Sequence, residues 1–210
     1  EMVGNHPVKN VKKFHESLFL KGLKQKGMSE HTQAKYLRQL QTFWRWAFDQ
    51  EYTNKMFRIS KLRPTVREPN IYSDEDLLRM EHLILDKLNT THLIHKQAAR
   101  NQYRAFMCLK ETGMRGNEVR SLRLENINVG DRKIMIRDDH QTGFRIKGRR
   151  EESVPMTDTL NEYFSKDLIL RGEQEVYFCD NGAGLPQWSS VNQMGKTFER
   201  ICNRLGIDGV

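Results

Sequence analysis

The sequence predicts a mainly helical α+β protein, with an all-helical N-terminal domain followed by a mixed domain that carries a small antiparallel β-sheet. Three observations predict it. Apolar side chains recur at helical spacing over residues 29–50, two prolines interrupt the chain within residues 61–70, and short strand-like runs occur only after residue 130. We expect a helical domain over residues 1–62, a linker over 63–72 and a mixed domain over 73–210.

Two helices are predicted in the N-terminal domain. The first covers residues 8–26 and ends at Gly27, because glycine readily adopts the left-handed conformation that closes a helix. The second begins after Ser29, a favourable N-cap residue, and runs to about residue 50. Its apolar side chains share one side, which we expect to be core: Tyr36, Leu37, Leu40, Phe43, Trp44, Ala47 and Phe48.

The opposite side of the second helix is basic. Lys35, Arg38, Thr42 and Arg45 fall together there, with Trp46 beside them. We call these five residues the basic stripe. A stripe of this kind can lie along a DNA phosphate backbone, whose contacts position a protein without reading its sequence. The tryptophan can stack or wedge against DNA, and a partly buried surface tryptophan is the open alternative.

Charge is distributed unevenly along the chain. Residues 1–70 contain 14 Lys and Arg against 6 Asp and Glu, whereas residues 71–210 contain 21 of each, so the formal net charge of +8 sits in the first third. Such a block suits a polyanion such as nucleic acid, and a solubilising surface is the alternative.

Other compositional features exclude several classes of protein. No apolar run approaches the roughly 18 residues that a membrane span needs, and the N-terminus has no signal pattern. Three dispersed cysteines indicate a reducing compartment rather than a disulfide framework or a cysteine-rich zinc site. We therefore expect a cytoplasmic protein with no membrane partner and no metal.

The mixed domain should begin with a helix, because residues 73–76 (Ser-Asp-Glu-Asp) have the spacing of a capping box. Its predicted apolar face comprises Leu77, Met80, Ile84 and Leu88. Further helices are predicted over residues 93–112, 117–123, 158–171 and 190–205. Strands are predicted over residues 134–136, 144–146 and 152–156, the last at a sheet edge because it contains Pro155.

The first stretch that holds candidate catalytic residues is the turn Thr112-Gly113-Met114-Arg115. Gly113 should end one helix, and the next begins within a few residues. Arg115 is then presented near a helix N-terminus, a favourable place for a phosphate. Glu118, three residues on, can orient its guanidinium, although an ordinary surface ion pair is the alternative.

A second stretch spans residues 147–156, Lys-Gly-Arg-Arg-Glu-Glu-Ser-Val-Pro-Met. It places Lys147 at a hairpin turn before a strand. A lysine in such a turn is usually a solvated charge.

Together these stretches resemble the tyrosine recombinase, or phage integrase, family. That family's catalytic domain has a T-G-x-R-x-x-E turn, matched within residues 112–122, and a K-G-(x)-(K/R)-E-x-x-V-P-(L/M) hairpin, matched by residues 147–156. Its core-binding domain typically shows T-x-x-x-Y-x-x-x-L-x-x-F-x-x-W, and the same register holds Thr32, Tyr36, Leu40, Phe43 and Trp46. The resemblance extends from about residue 10 to 207.

The resemblance implies site-specific cutting and rejoining of duplex DNA through a 3′-phosphotyrosyl intermediate, without metal or nucleotide cofactor. Arg115 would neutralise the phosphorane, Glu118 would support it, and Lys147 would protonate the leaving 5′-oxygen. Arg145 or Arg149 would take the lysine's role if the hairpin folds differently. Further DNA contacts are expected from Arg145, Arg149 and Arg150. The resemblance also implies four protomers on two DNA sites, in a nucleoid-associated protein of bacterial or phage origin.

The sequence departs from the family in lacking two expected groups. No H-x-x-R box follows residues 205–207, and none of the six tyrosines lies where the nucleophile would. We therefore expect an incomplete catalytic domain, and a fragment that binds DNA but does not cleave it. The alternative is a non-catalytic DNA-binding regulator on a recombinase-like scaffold.

Overall fold

The computed structural model describes residues 10–65, 71–90, 92–148 and 150–207. The chain divides into two compact units, Glu1–Glu68 and Pro69–Val210. The middle of the predicted linker, residues 66–70, and the predicted helix start at residue 8 lie outside the described residues. No helix in the described ranges is long and apolar enough to cross a membrane.

The first unit contains helices α1 (Lys13–Gln25) and α2 (Glu30–Asp49). Gly27 adopts φ +67°, and Ser29 Oγ accepts a hydrogen bond from the Thr32 backbone N–H at 3.3 Å. The predicted end of the first helix at Gly27 and the predicted start of the second after Ser29 are thus confirmed. The expected extent of the first helix was wrong, because Lys12 is extended and its N–H donates to His15 Nδ1 at 2.8 Å, a local cap that starts the helix at residue 13.

The apolar side of α2 is only partly core. Its centre is buried, with Leu37, Trp44 and Ala47 at most 3% exposed. The prediction was wrong for three aromatic residues that are 39–44% exposed, Tyr36, Phe43 and Phe48. Tyr36 and Phe43 lie at the margin of the apolar stripe, and Phe48 lies in the last turn of α2.

The second unit has the predicted α+β composition. Its elements follow in the order α3 (Asp74–Thr90), α4 (Leu93–Thr112), α5 (Gly116–Arg120), β1 (Ile127–Asn128), β2 (Lys133–Ile136), β3 (Glu152–Pro155), α6 (Asp158–Ile169) and α7 (Val191–Leu205). The sheet is antiparallel with order β1-β2-β3, and Ile134 pairs with both Ile127 and Val154. β3 therefore lies at an edge, as its proline predicted.

Helix boundaries in this unit were predicted well at their caps. The Ser73 hydroxyl accepts from the Asp76 N–H at 3.1 Å, which confirms the capping box. α4 has the predicted bounds and ends at Gly113, and α7 is capped by Ser190 and Gly206. The helix predicted over residues 117–123 was wrong in extent: α5 is followed by a 3₁₀ turn over Leu124–Asn126. The helix predicted over 158–171 ends two residues early.

The strand predicted over residues 144–146 was wrong. Phe144 makes only an isolated bridge with Asp139. Side chains within the loop take amides that a strand would pair: Ile146 N–H donates to Asp138 Oδ1 at 2.8 Å, and Phe144 N–H to Thr142 Oγ1 at 3.4 Å. Residues 137–151 therefore form a long connection between β2 and β3, which we call the 137–151 loop.

The core of the second unit is centred on α4, which packs against α3, α5 and α6. A charged side chain lies within it. Arg104 is fully buried, and its Nε lies 3.0 Å from Asp167 Oδ1 on α6, while Arg171 also contacts this carboxylate. A buried pair of this kind fixes the relative position of two helices, because removing either partner leaves an uncompensated charge.

Candidate active site and nucleic-acid interface

The turn between α4 and α5 holds the first candidate catalytic residue. Gly113 has φ +64°, a conformation that other residues adopt only with strain, and its N–H donates to Leu109 O at 3.0 Å. The Thr112 hydroxyl donates to Cys108 O at 2.5 Å and accepts from the Met114 N–H at 3.1 Å. These bonds tie the turn to the end of α4, so that Arg115 becomes the N-cap residue of α5.

Arg115 is held by one buried carboxylate. Glu118 is 7% exposed; its Oε2 accepts from the Arg115 backbone N–H at 2.7 Å, and its Oε1 from Arg115 Nη1 at 2.8 Å. The arginine side chain is nonetheless 65% exposed. The hydrogen bond to Glu118 raises the pKa of Arg115, to which the charge of Glu152 on β3 adds. The geometry therefore presents a permanently charged guanidinium, anchored on one nitrogen and open to an incoming anion.

Helix α5, which follows this turn, packs closely against α7. A Cβ placed on Gly116 would lie 3.0 Å from both Met194 Cε and Val191 Cγ2. Glycine at this position therefore lets the two helices approach, and this contact fixes the direction in which α5 presents Arg115.

Lys147 lies on the 137–151 loop, exposed in a turn before Gly148, whose φ is +99°. The preceding residue is anchored, because Ile146 is only 8% exposed and its N–H is bonded to Asp138. Within the described contacts Lys147 forms no hydrogen bond or ion pair with Arg115 or Glu118. The structure thus joins Arg115 to Glu118, and among the described residues it shows no polar partner for the Lys147 ammonium on this anchored loop.

The three arginines of this loop that were predicted to contact DNA differ in their surroundings. Arg145 pairs with Asp138 at 3.3 Å and is 71% exposed. Arg150 is exposed and has no polar partner in the described part of the chain. Arg149 lies outside the described residues.

One anchor of the loop was missed by the sequence analysis. Asp139, 4% exposed, accepts from the Tyr177 hydroxyl at 2.9 Å, and its other oxygen lies 3.2 Å from Arg123 Nε. Burial alone would raise the pKa of Asp139, but hydrogen bonds from Thr142 and Tyr177 outweigh it and lower the pKa. An aspartate in a polar loop gives no sequence signal for such a role.

The basic stripe forms a surface on α2. Four of its residues line one shallow groove together with Gln39 and Phe43; these are Lys35, Arg38, Thr42 and Trp46. Arg45 is exposed outside this lining. The Thr42 hydroxyl donates to Arg38 O at 3.1 Å.

Trp46 is 50% exposed, and its ring centroid lies 5.8 Å from that of Phe43 and 5.4 Å from that of Tyr52. It is therefore a half-buried surface tryptophan within an exposed aromatic cluster. One face of the first unit thus combines cations with aromatic rings.

The tyrosines of the second unit are engaged in packing and hydrogen bonds. Burial raises the pKa of Tyr103 to about 12, assisted by Glu81, whose Oε1 accepts a hydrogen bond from the Tyr103 hydroxyl at 3.2 Å. Burial likewise raises the pKa of Tyr163 and of Tyr177. The hydroxyl oxygen of Tyr72 lies 3.5 Å from Cys202 Sγ. In the described ranges, no three His, Cys, Asp or Glu side chains come together as a metal site.

This fold, with an arginine anchored in the α4–α5 turn, is that of a tyrosine recombinase. The family model described as "Phage integrase family" matches residues 79–209, and the chain belongs to that family. A search of curated proteins finds no significant match.

Several solved structures share the fold. The Tn1549 transposon integrase in complex with circular intermediate DNA has a TM-score of 0.70 at 18% identity, covering 98% of this chain and 68% of that one. A lambda integrase dimer bound to a COC' core site has a TM-score of 0.65 at 14% identity, covering 99% and 68%. XerH recombinase bound to its difH substrate has a TM-score of 0.64 at 21% identity, covering 97% and 56%.

Proposed function

We propose that residues 1–210 are the DNA-binding portion of a site-specific recombinase that cuts and rejoins duplex DNA through a 3′-phosphotyrosyl intermediate. One observation carries the proposal: a guanidinium that is 65% exposed yet fixed through a buried Glu118. Glu118 is buried and also accepts from the Arg115 backbone N–H in a capping box, so the side chain of Arg115 is held by a carboxylate that is itself fixed to the start of α5. The integrase structures that share this fold contain DNA, which supports a nucleic-acid substrate.

Arg115 is proposed to stabilise the transition state. Attack on a phosphodiester builds negative charge on the nonbridging oxygens, and the open edge of a guanidinium can donate two parallel hydrogen bonds to them. The anchor on Glu118 means that this donor is oriented before the reaction begins. Glu118 itself is a positioning residue, since its oxygens are occupied by Arg115.

Lys147 is proposed as the general acid that protonates the leaving 5′-oxygen. A lysine can release its proton to a developing alkoxide, whereas an arginine retains its proton in proteins. This difference favours Lys147 over Arg145 and Arg149. Arg145, Arg149 and Arg150 are instead proposed to contact the DNA backbone beside the acid.

The basic stripe is proposed as a second DNA contact. Its cations and Thr42 would bind phosphates, and the half-exposed ring of Trp46 can pack on sugar or base. Contacts of this kind position the duplex without reading its sequence. These contacts support duplex DNA as a partner. From the family resemblance we also propose further protomers, four on two sites, in a cytoplasmic protein associated with the nucleoid.

Cleavage requires a nucleophile and a second arginine. The resemblance assigns them to two family motifs, the nucleophilic tyrosine and the H-x-x-R box, and residues 1–210 match neither. The engaged tyrosines of the second unit support this proposal, because a raised pKa and a bonded hydroxyl both oppose nucleophilic attack. The alternative proposal is a DNA-binding regulator on the same scaffold. It is favoured if the complete protein binds DNA yet never forms a covalent adduct with it.

A sulfur-substituted substrate tests the proposed chemistry in the full-length recombinase. We expect Lys147→Ala to impair cleavage of ordinary DNA but to cleave a 5′-bridging phosphorothiolate normally, because sulfur leaves without protonation. Arg115→Ala should remain defective on both substrates, since charge on the nonbridging oxygens is unchanged. Rescue of Arg145→Ala or Arg149→Ala instead would contradict the placement of the acid and leave the family assignment intact.

A further inference from the structure

The 137–151 loop is tied at its base to the segment that follows α5. Arg123, three residues beyond that helix, lies 3.2 Å from Asp139 Oδ1. The Thr142 hydroxyl contacts both Asp139 Oδ2, at 2.5 Å, and Ser121 Oγ, at 3.1 Å. Tyr177, fully buried, donates its hydroxyl to Asp139 Oδ2 at 2.9 Å. The loop is therefore fixed to the same backbone that carries the arginine turn.

The tie continues towards the tip of the loop. The Asp139 N–H donates to Phe144 O at 3.1 Å, which closes a short hairpin. The adjacent Asp138 accepts from the Ile146 N–H at 2.8 Å, one residue before Lys147. Phe144 and Ile146 are 7% and 8% exposed, so their buried side chains hold this part of the loop against the core. An unbroken series of contacts thus runs from the end of α5 to Lys147.

We propose that Asp139 and Tyr177 are positioning residues that keep Lys147 in register with Arg115. The inference rests on the proposed role of Lys147 as general acid. Both side chains are buried, so they act through the loop rather than on DNA. A proton donor must lie within hydrogen-bond reach of its acceptor, and a misplacement of about 1 Å can cost about 100-fold in rate. A loosened loop should therefore impair protonation before it impairs binding.

Tyr177→Phe is the variant of choice, because it removes one hydroxyl and keeps the buried ring. In the full-length recombinase we expect it to lower cleavage of ordinary DNA by about 10-fold or more, as expected for a displaced acid. Cleavage of the 5′-bridging phosphorothiolate should stay within about two-fold of wild type, since that substrate needs no acid.

Tyr103→Phe is the matched control. Its hydroxyl also donates to a carboxylate, Glu81 at 3.2 Å, in the contact between α4 and α3. This variant should cleave both substrates at the wild-type rate. If Tyr177→Phe loses activity equally on both substrates, or matches Tyr103→Phe on both, the positioning role is wrong.

A second measurement needs no catalysis. Hydrogen exchange of residues 1–210 should show faster exchange of the Thr142 and Ile146 amides in Tyr177→Phe than in Tyr103→Phe; equal protection would overturn the inference. Lys147→Ala on the sulfur substrate separates this inference from the proposed function. If Lys147→Ala is not rescued, the general acid is misassigned and the positioning role falls with it. If it is rescued and Tyr177→Phe is not, only the positioning role fails.

Discussion

Replacing the three cations of the basic stripe should weaken the salt dependence of DNA binding by residues 1–210. Lys35 and Arg45 make no ion pair within the described contacts, and Arg38 reaches only its own helix, at Ala34 O. Their charges are therefore available to phosphates. The triple change Lys35→Ala, Arg38→Ala and Arg45→Ala removes these charges and leaves the buried side of α2 intact.

The magnitude follows from counterion release. Each neutralised phosphate contributes about −0.9 to the slope of log K against log salt, so three lost contacts should flatten the slope by about 2.7. Raising the salt concentration from 50 to 200 mM should therefore lower the ratio of wild-type affinity to variant affinity by about 40-fold. Fluorescence anisotropy with a labelled duplex, titrated at several salt concentrations, measures both slopes.

A matched triple variant distinguishes this surface from net charge alone. Lys21, Lys24 and Lys26 are exposed at the end of α1, and changing all three to Ala removes the same charge from the same unit. This control should keep a slope closer to that of the wild type. An unchanged slope in the stripe variant, or an equal change in both variants, would refute the assignment of the stripe to DNA.

Three further predictions address catalysis and packing. Residues 1–210 should form no denaturation-resistant adduct with a nicked suicide substrate, because none of the six tyrosines lies where the nucleophile of the family would; a covalent band would contradict this. In the full-length recombinase, Arg115→Ala should lower cleavage by roughly 10²–10³ while gel-shift affinity persists, and an equal loss of both would indicate a binding role. Gly116→Ala should destabilise the second unit by about 1 kcal/mol or more, because the added Cβ overpacks against α7. Gly195→Ala should not destabilise it, because the added Cβ has no neighbour within 4 Å. Thermal unfolding compares the two variants, and equal melting temperatures would contradict the close approach of α5 and α7.

Local chemistry made much of the fold predictable. Caps are set by neighbouring residues, so Ser29, Ser73, Gly113 and Gly206 marked their helix ends correctly. Features that depend on distant partners were not predictable. β1 is two residues long and exists only through its pairing with β2, so it has no periodicity of its own.

The candidate site shows the same division. The turn that carries Arg115 and Glu118 is local, and its contact was foreseen from a spacing of three residues. The hydrogen bond between Asp139 and Tyr177 joins residues 38 positions apart, and Tyr177 belongs to no sequence motif that would have predicted it. Likewise, the strand expected over residues 144–146 did not form, because the side chains of Asp138 and Thr142 bind backbone amides that a neighbouring strand would pair.

The two candidate catalytic residues differ in how the fold restrains them, and this difference accords with the chemistry proposed for each. Arg115 is bound directly by a buried carboxylate, which suits a group that must meet developing charge without rearranging. Among the described residues no carboxylate binds the ammonium of Lys147, whereas the backbone N–H of the preceding Ile146 is anchored on Asp138. A general acid must approach the leaving oxygen as the bond breaks, so freedom of the side chain on a fixed base is compatible with proton transfer. In the proposed mechanism the restraint on Lys147 comes from the loop, so that the reach of the proposed acid depends on Asp139 and its partners.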